Sequence, residues 1–214
     1  FIEKYKRISI IGMEKNVGKT TLLNKLIADI GTNKKLGLTS IGRDGEDIDV
    51  VTNTDKPRIY VRRGSIIATG RNCLAKCDIT KEILYVTDFT TPMGSIVIVR
   101  ALSDGYVDIA GPSYNKQVKI VVELMEKFGS EISIVDGALG RKSTAISDVS
   151  EATILSTGAA LSLDMLKVVE ETKKTVYFLK LDEVEQNIKD RVEELRNEKA
   201  VLFYKNGEVA ILEV

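Results

Sequence analysis

The stretch Ile8-Ser-Ile-Ile-Gly-Met-Glu-Lys-Asn-Val-Gly-Lys-Thr-Thr21 constrains this chain more than any other. A short apolar strand runs into a loop, the loop closes on Gly18-Lys19-Thr20, and a helical pattern starts at once. That order suits a loop that wraps a phosphate. Gly18 lets the backbone approach the anion, and the amides that follow point at it from the helix N-terminus. Lys19 is then expected to reach the β- and γ-phosphates, and the Thr20 hydroxyl to ligate Mg²⁺.

The spacing departs from G-x-x-x-x-G-K-[ST] at one place. Met13 stands at the first glycine position, and the glycine comes one residue earlier, at Gly12. The strand and the helix still fall where the mechanism needs them. The expected nucleotide contacts are therefore Gly12, Glu14, Lys15, Asn16, Val17, Gly18, Lys19, Thr20 and Thr21. Glu14 repels phosphate, so it faces Mg²⁺ or a substrate.

A chain of 214 residues suits one α/β domain and can bury a real core. Lys+Arg and Asp+Glu balance at 31 each, so no overall field draws in nucleic acid or an acidic membrane, and any anion site must be local. There is no histidine, which excludes histidine triads, histidine general bases and histidine–zinc sites. No apolar run is long enough to span a bilayer, and nothing reads as a signal peptide. Cys73 and Cys77 read as reduced thiols of a cytoplasmic protein. The chain begins at Phe1 and reads as a trimmed segment with both termini incomplete.

Leu22, Leu23, Leu26, Ile27 and Ile30 continue from the loop as a helical stripe that Gly31 stops. A strand over Leu36–Ile41 leads to Gly42-Arg-Asp-Gly-Glu46. Residues 58–111 then read as short strands: Arg58–Val61, Ser65–Ala68, Ile83–Thr87, Ser95–Ala101 and Tyr106–Ala110. Arg63-Gly64 and Ser103-Asp-Gly105 suggest tight turns between antiparallel neighbours, with a short helix at Asn72–Cys77. A helix over Lys116–Phe128, a strand over Ile132–Val135 and a strand over Glu151–Ser156 follow. The remainder reads as a helix over Asp164–Thr172, a strand over Thr175–Leu179, a helix over Asp182–Lys199, and a hairpin about Asn206-Gly207. Strands alternating with helices imply a mainly parallel sheet covered on both faces. The expected organisation is one domain over 1–214, with an antiparallel elaboration at 58–111 and a C-terminal hairpin at 200–214.

Nucleotide hydrolysis needs an acid at the carboxyl edge of the sheet to hold Mg²⁺ or its waters. Asp136 follows an apolar strand with a helix before it, as a parallel crossover requires, and is preferred to Asp88, which lies in the antiparallel stretch. After the second strand, Asp44 is expected as a second Mg²⁺ contact or beside the attacking water, with Arg43 near phosphate and Glu46 in the same loop. Lys19, Asp44 and Asp136 thus form the expected catalytic set, and Thr20, Asp136 and Asp44 the metal set. Gly140-Arg-Lys-Ser143 offers further positive charge, and Ser156-Thr157-Gly158 a resting place for the base. No Asn-Lys-x-Asp sequence is present to read guanine.

Gly12–Thr21 resembles the phosphate loop of the dethiobiotin synthetases and their relatives among the P-loop NTPases. Those loops carry five residues between the glycines, an acid two after the first, and Val-Gly-Lys-Thr. Val135-Asp-Gly-Ala138 is similar to that family's Mg²⁺-binding segment, with Asp136 in place of Glu, but Leu38-Thr-Ser-Ile-Gly42 replaces its substrate-binding Lys-Pro. A wider resemblance rests on Leu36–Glu46, Ile109-Ala-Gly-Pro112, Val135–Ser143 and Ser156-Thr-Gly-Ala159. These segments resemble an ATP-binding family from amino-acid-fermenting anaerobes, identified as the reactivase subunit of lysine 5,6-aminomutase, an adenosylcobalamin enzyme. The resemblances imply a three-layer α/β fold, ATP and Mg²⁺ as ligands, and hydrolysis that reactivates a protein partner, either the aminomutase or a second reactivase subunit. No nucleic acid or membrane partner is implied, and a homodimer stays open. An ATP-dependent ligase or kinase, or a non-hydrolysing nucleotide module, are the other readings.

Overall fold

The computed structural model describes residues 2–42, 48–49, 54–55, 58–137, 149–182, 185–195, 200–204 and 206–212. In chain order the first half gives β1 (Arg7–Gly12), α1 (Lys19–Ile30), β2 (Leu36–Ser40), β3 (Ile48–Asp49), β4 (Thr54–Asp55), β5 (Ile59–Val61) and β6 (Ile66–Gly70). Then come a 3₁₀ turn at Arg71–Lys76, β7 (Lys81–Thr91), β8 (Gly94–Ala101), β9 (Gly105–Val107) and α2 (Asn115–Lys127). The chain ends with β10 (Ile132–Asp136), β11 (Ala152–Ser156), α3 (Met165–Leu179), α4 (Gln186–Glu194), β12 (Val201–Phe203) and β13 (Val209–Ile211). Contacts divide it into two compact units, Phe1–Thr172 and Lys173–Val214.

The first unit is α/β. Its seven-stranded sheet runs β11-β1-β10-β2-β6-β8-β7. From β11 to β6 every neighbouring pair is parallel, and β8 and β7 extend the edge antiparallel. Alternation along each strand sorts the apolar side chains onto two faces. Ile8 and Ile10, Leu36 and Leu38, and Ile132 and Ile134 meet the α1 stripe Leu23, Leu26, Ile27 and Ile30 on one face. Val135, Ile66, Ala68, Ile96 and Ile98 meet Val118, Val121, Val122 and Met125 of α2 on the other. The central strands are buried on both sides, which is why they read as nearly continuous apolar runs. In the second unit, β12 and β13 pair antiparallel as the expected C-terminal hairpin.

Two expectations need correction. Thr175–Leu179 is not a strand but the last turns of α3. Thr-Val-Tyr-Phe-Leu has strand propensity, yet nothing between Thr172 and Thr175 breaks a helix, so the helix propagates through it. The turns at Arg63-Gly64 and Ser103–Gly105 also do not join paired neighbours. β5 pairs with β9, and β6 with β8. Both turns leave the main sheet at one level, where Ala101 N donates to Ser65 O and Gly64 N donates to Ala101 O. Turn chemistry dictates the reversal but not the partner. The segment Ile109–Pro112 leaves the sheet before Ala110, whose amide donates to Thr69 Oγ1. No described helix is long and apolar enough to cross a membrane.

Leu38, only 1% exposed between two helical layers, marks the core. Leu38→Ala should lower unfolding free energy by about 2–5 kcal/mol in urea titrations. Ile83→Ala on the outer strand β7, where the side chain is 63% exposed, should change it by less than about 0.5 kcal/mol.

Candidate functional site

The carboxyl edge of the sheet brings four chain segments together. The connection leaving β1 passes beyond β10 to reach β2, and the one leaving β10 passes beyond β1 to reach β11. Adjacent strands whose connections run to opposite sides open a crevice between them, the place where ligands bind to α/β sheets. Gly12 of β1 is level with Ser156 of β11, Ile10 with Asp136 of β10, and Asp136 with Ser40 of β2.

The loop between β1 and α1 is fixed at both ends. Met13 N donates to Ser156 O at 2.9 Å, which anchors its start to β11. Lys15 N donates to Glu14 Oε1 at 2.8 Å, and Asn16 takes a left-handed conformation with φ 59°. Gly18 stands at the N-cap of α1 with φ 84°, where a side chain would be strained. No side chain caps the helix and no acid lies in its first turn, so its first amides carry partial positive charge to the loop.

Lys19 turns back over the strand end. Its Nζ donates to Glu14 O at 3.1 Å. A Cβ on residue 12 would lie 2.8 Å from Lys19 Nζ, 2.9 Å from Lys19 Cδ and 2.7 Å from Val17 Cγ2. A side chain at residue 12 would make the Lys19 end and the Val17 methyl shift. Met13 is not among the described residues with positive φ, so its position does not demand glycine. The displaced glycine therefore stands where the lysine needs room.

Asp136 ends β10 within electrostatic reach of this lysine. Its Oδ1 is buried with no hydrogen-bond partner among the described residues. Burial pushes the carboxyl up from 3.8 to about 6, and the nearby Lys19 charge opposes that rise. The backbone around it is satisfied: Ile41 N donates to Asp136 O, and Gly137 N to Ile10 O. An unpartnered carboxylate oxygen fits a hard divalent cation, which takes oxygen ligands. No described group of three or more Asp, Glu, Cys or His could hold a metal alone. One carboxylate suits Mg²⁺, which completes its shell with waters and phosphate oxygens.

The structure separates the two candidate acids. Asp88 is exposed on β7 at the far edge, four places from β10, or roughly 19 Å at ordinary strand spacing. Asp136 adjoins the loop. Arg43, Asp44, Glu46 and Gly140–Ser143 lie outside the described residues. Ser156, Thr157 and Gly158 do lie at the same edge, where Thr157 Oγ1 is 2.9 Å from Thr172 Oγ1. Sequence reasoning missed Ser40. Its buried hydroxyl accepts from Gly111 N at 2.9 Å, tying Ile109–Pro112 to the strand beside Asp136. A serine at the end of the apolar run Leu36-Gly-Leu-Thr-Ser40 was the available signal.

Comparison with protein-family models, with curated proteins and with solved structures gives no match to this chain.

Because the folded carboxyl of Asp136 holds its proton to higher pH than the unfolded one, the folded state binds the extra proton between about pH 4 and 6. Stability contributed at low pH is thus lost as pH rises through that window, by roughly 3 kcal/mol. Asp136→Asn should raise the Tm of the ligand-free protein at about pH 7.5 and leave it unchanged near pH 3.5. An unchanged Tm at both would contradict the burial of an ionised acid.

Proposed function

We propose that the protein is a P-loop NTPase that binds Mg-ATP and hydrolyses it to drive a change in a protein partner. The observation that carries this reading is the packing of Lys19 across Gly12 together with the buried, unpartnered oxygen of Asp136. The chain's own groups suit a triphosphate. The amides of residues 14–20 and the N-terminus of α1 bind the phosphate oxygens. Lys19 exchanges its bond to Glu14 O for a phosphate oxygen and neutralises charge that grows on the β–γ bridge. Thr20 and Asp136 would hold Mg²⁺, directly or through water, and the role toward the attacking water is assigned to Asp44, which lies outside the described residues. Mg²⁺ would supply charge neutralisation of the transferring phosphoryl group.

Asp136 meets the metal as a carboxylate. Its elevated proton affinity means that ionisation is favoured when a cation arrives and disfavoured when the site is bare. The cost of a buried charge is then offset only with ligand bound. Such a site is weak toward a free metal and suited to metal arriving with phosphate.

The resemblance to the aminomutase reactivase subunits gives the use of the energy: exchange of damaged cobalamin for intact cofactor on the partner enzyme. A cytoplasmic location accompanies that role.

Calorimetric titration of Mg-ATP and Mg-GTP, followed by turnover with and without the aminomutase, tests the reading. The native chain should bind Mg-ATP, and Lys19→Ala should weaken it by at least about 100-fold, or 2.7 kcal/mol. Native affinity in that variant would sink the assignment. Turnover should be slow alone and rise with the partner. Asp136→Asn should abolish the Mg²⁺ dependence of binding while Asp88→Asn leaves it intact, and the reverse result would move the metal site to β7.

A further inference from the structure

β2 and β6 are neighbours in the sheet, yet they share only two register pairs, Gly37 with Ile66 and Leu38 with Ile67. Both strands run on, to Ser40 and Gly70, and there the segment Ile109–Pro112 ties to each of them. On the β6 side Gly70 N donates to Ala110 O at 2.9 Å. On the β2 side Gly111 N donates to Ser40 Oγ at 2.9 Å, and Gly42 N to Pro112 O at 2.9 Å. Gly111 is not among the residues with positive φ, so the need for glycine there is one of space. A Cβ at residue 111 would overlap Ser40 O and lie 2.8 Å from Thr39 Oγ1.

Ser40 is level with Asp136 on the next strand. Leu38 and Ile134, two residues back on each strand, both pack in the core beneath α1. Alternation therefore puts the Ser40 and Asp136 side chains on that same face. Neighbouring strands lie about 4.8 Å apart, so a hydroxyl on one in-register residue can reach a carboxylate on the other. Here it does not. Ser40 Oγ takes the Gly111 amide, its own proton goes to Ile109 O at 3.5 Å, and Asp136 Oδ1 has no partner among the described residues. We propose that Ser40 is a positioning residue: Ile109–Pro112 holds its hydroxyl off Asp136, which keeps Oδ1 open to a divalent cation. The proposal rests on the reading of Asp136 as a Mg²⁺ ligand given above. A hydroxyl bonded to that carboxylate would be charge-assisted and would compete with a cation for the same oxygen. Glycine at residue 111 thus serves the metal from a distance, through the place of one hydroxyl.

Two readouts on the full chain test this, one without ligand and one with Mg²⁺ and ATP. In a crystal structure of ligand-free Gly111→Ala, the methyl group displaces the segment, and Ser40 Oγ should move to hydrogen-bond distance from Asp136 Oδ1. The Mg²⁺ concentration that half-saturates ATP binding in calorimetry should rise at least about 10-fold. Adding Ser40→Ala removes the competing hydroxyl, so G111A/S40A should return to within about twofold of the native requirement. A purely structural role predicts the reverse order, because the second substitution deletes one more polar group. Thr69→Val gives the same comparison without added bulk should Gly111→Ala fail to fold by circular dichroism. Thr69 Oγ1 accepts from Ala110 N at 2.9 Å and donates to Asp108 O at 3.0 Å, so its loss frees the segment from β6. A Ser40 hydroxyl that stays away from Asp136 in the folded variant, or a double variant that needs as much Mg²⁺ as the single one, would overturn the proposal. A native chain that binds no Mg-ATP would overturn the proposed function instead, and the ligand-free crystal structure would still decide where the hydroxyl goes.

Discussion

The candidate site depends on one steric fact: the Lys19 side chain occupies the space that a Cβ on residue 12 would fill. That packing carries the lysine charge back over the end of β1 and toward Asp136, the next strand's terminal acid. Two of three loop positions then carry a demand of their own. Glycine at residue 12 lets the lysine cross without shifting. Residue 18 must be glycine so that the chain can enter α1 at φ 84°. Residue 13 is free of both demands and is methionine. The sheet supplies the rest, because the crossing of connections at β1 and β10 opens the crevice where these groups converge.

The energetic state of the bare site follows from the same geometry. Among the described residues, a helix N-terminus with no side-chain cap, a lysine whose bond is to a backbone carbonyl, and a carboxylate oxygen with no partner each leave a polar group poorly matched. Such groups cost stability when buried and recover it with a ligand of opposite character. On the proposed function, an anion would answer the first two and a divalent cation the third, and metal and phosphate together would complement the site better than either alone.

The parallel core was legible in the sequence because burial on both faces leaves a plain mark. β1, β2 and β10 are short apolar runs, and the α1 and α2 stripes show helical spacing. The strand–loop–helix order around Gly18-Lys19-Thr20 was legible, and so was the place of Asp136 after a strand that follows a helix. What propensity could not show was continuation and partnership. Thr175–Leu179 is rich in strand formers, yet it extends a helix already nucleated at Met165. The glycine turns on either side of β6 and β8 gave reversals without revealing that β5 and β9 would pair with each other. Ser40 was invisible as a site residue since its role, accepting from Gly111 N, is a contact between residues far apart in sequence.

The most direct measurement compares Mg-ATP affinity by calorimetry in Gly12→Ala and Met13→Ala. A methyl group at position 12 must displace Lys19 or Val17, so Gly12→Ala should bind at least about tenfold more weakly, or 1.4 kcal/mol, while remaining folded. Met13→Ala should keep native affinity, because position 13 needs neither glycine's conformation nor its lack of a side chain. Equal affinities in Gly12→Ala and the native chain, or a loss confined to Met13→Ala, would contradict the placement of the lysine on which the site depends.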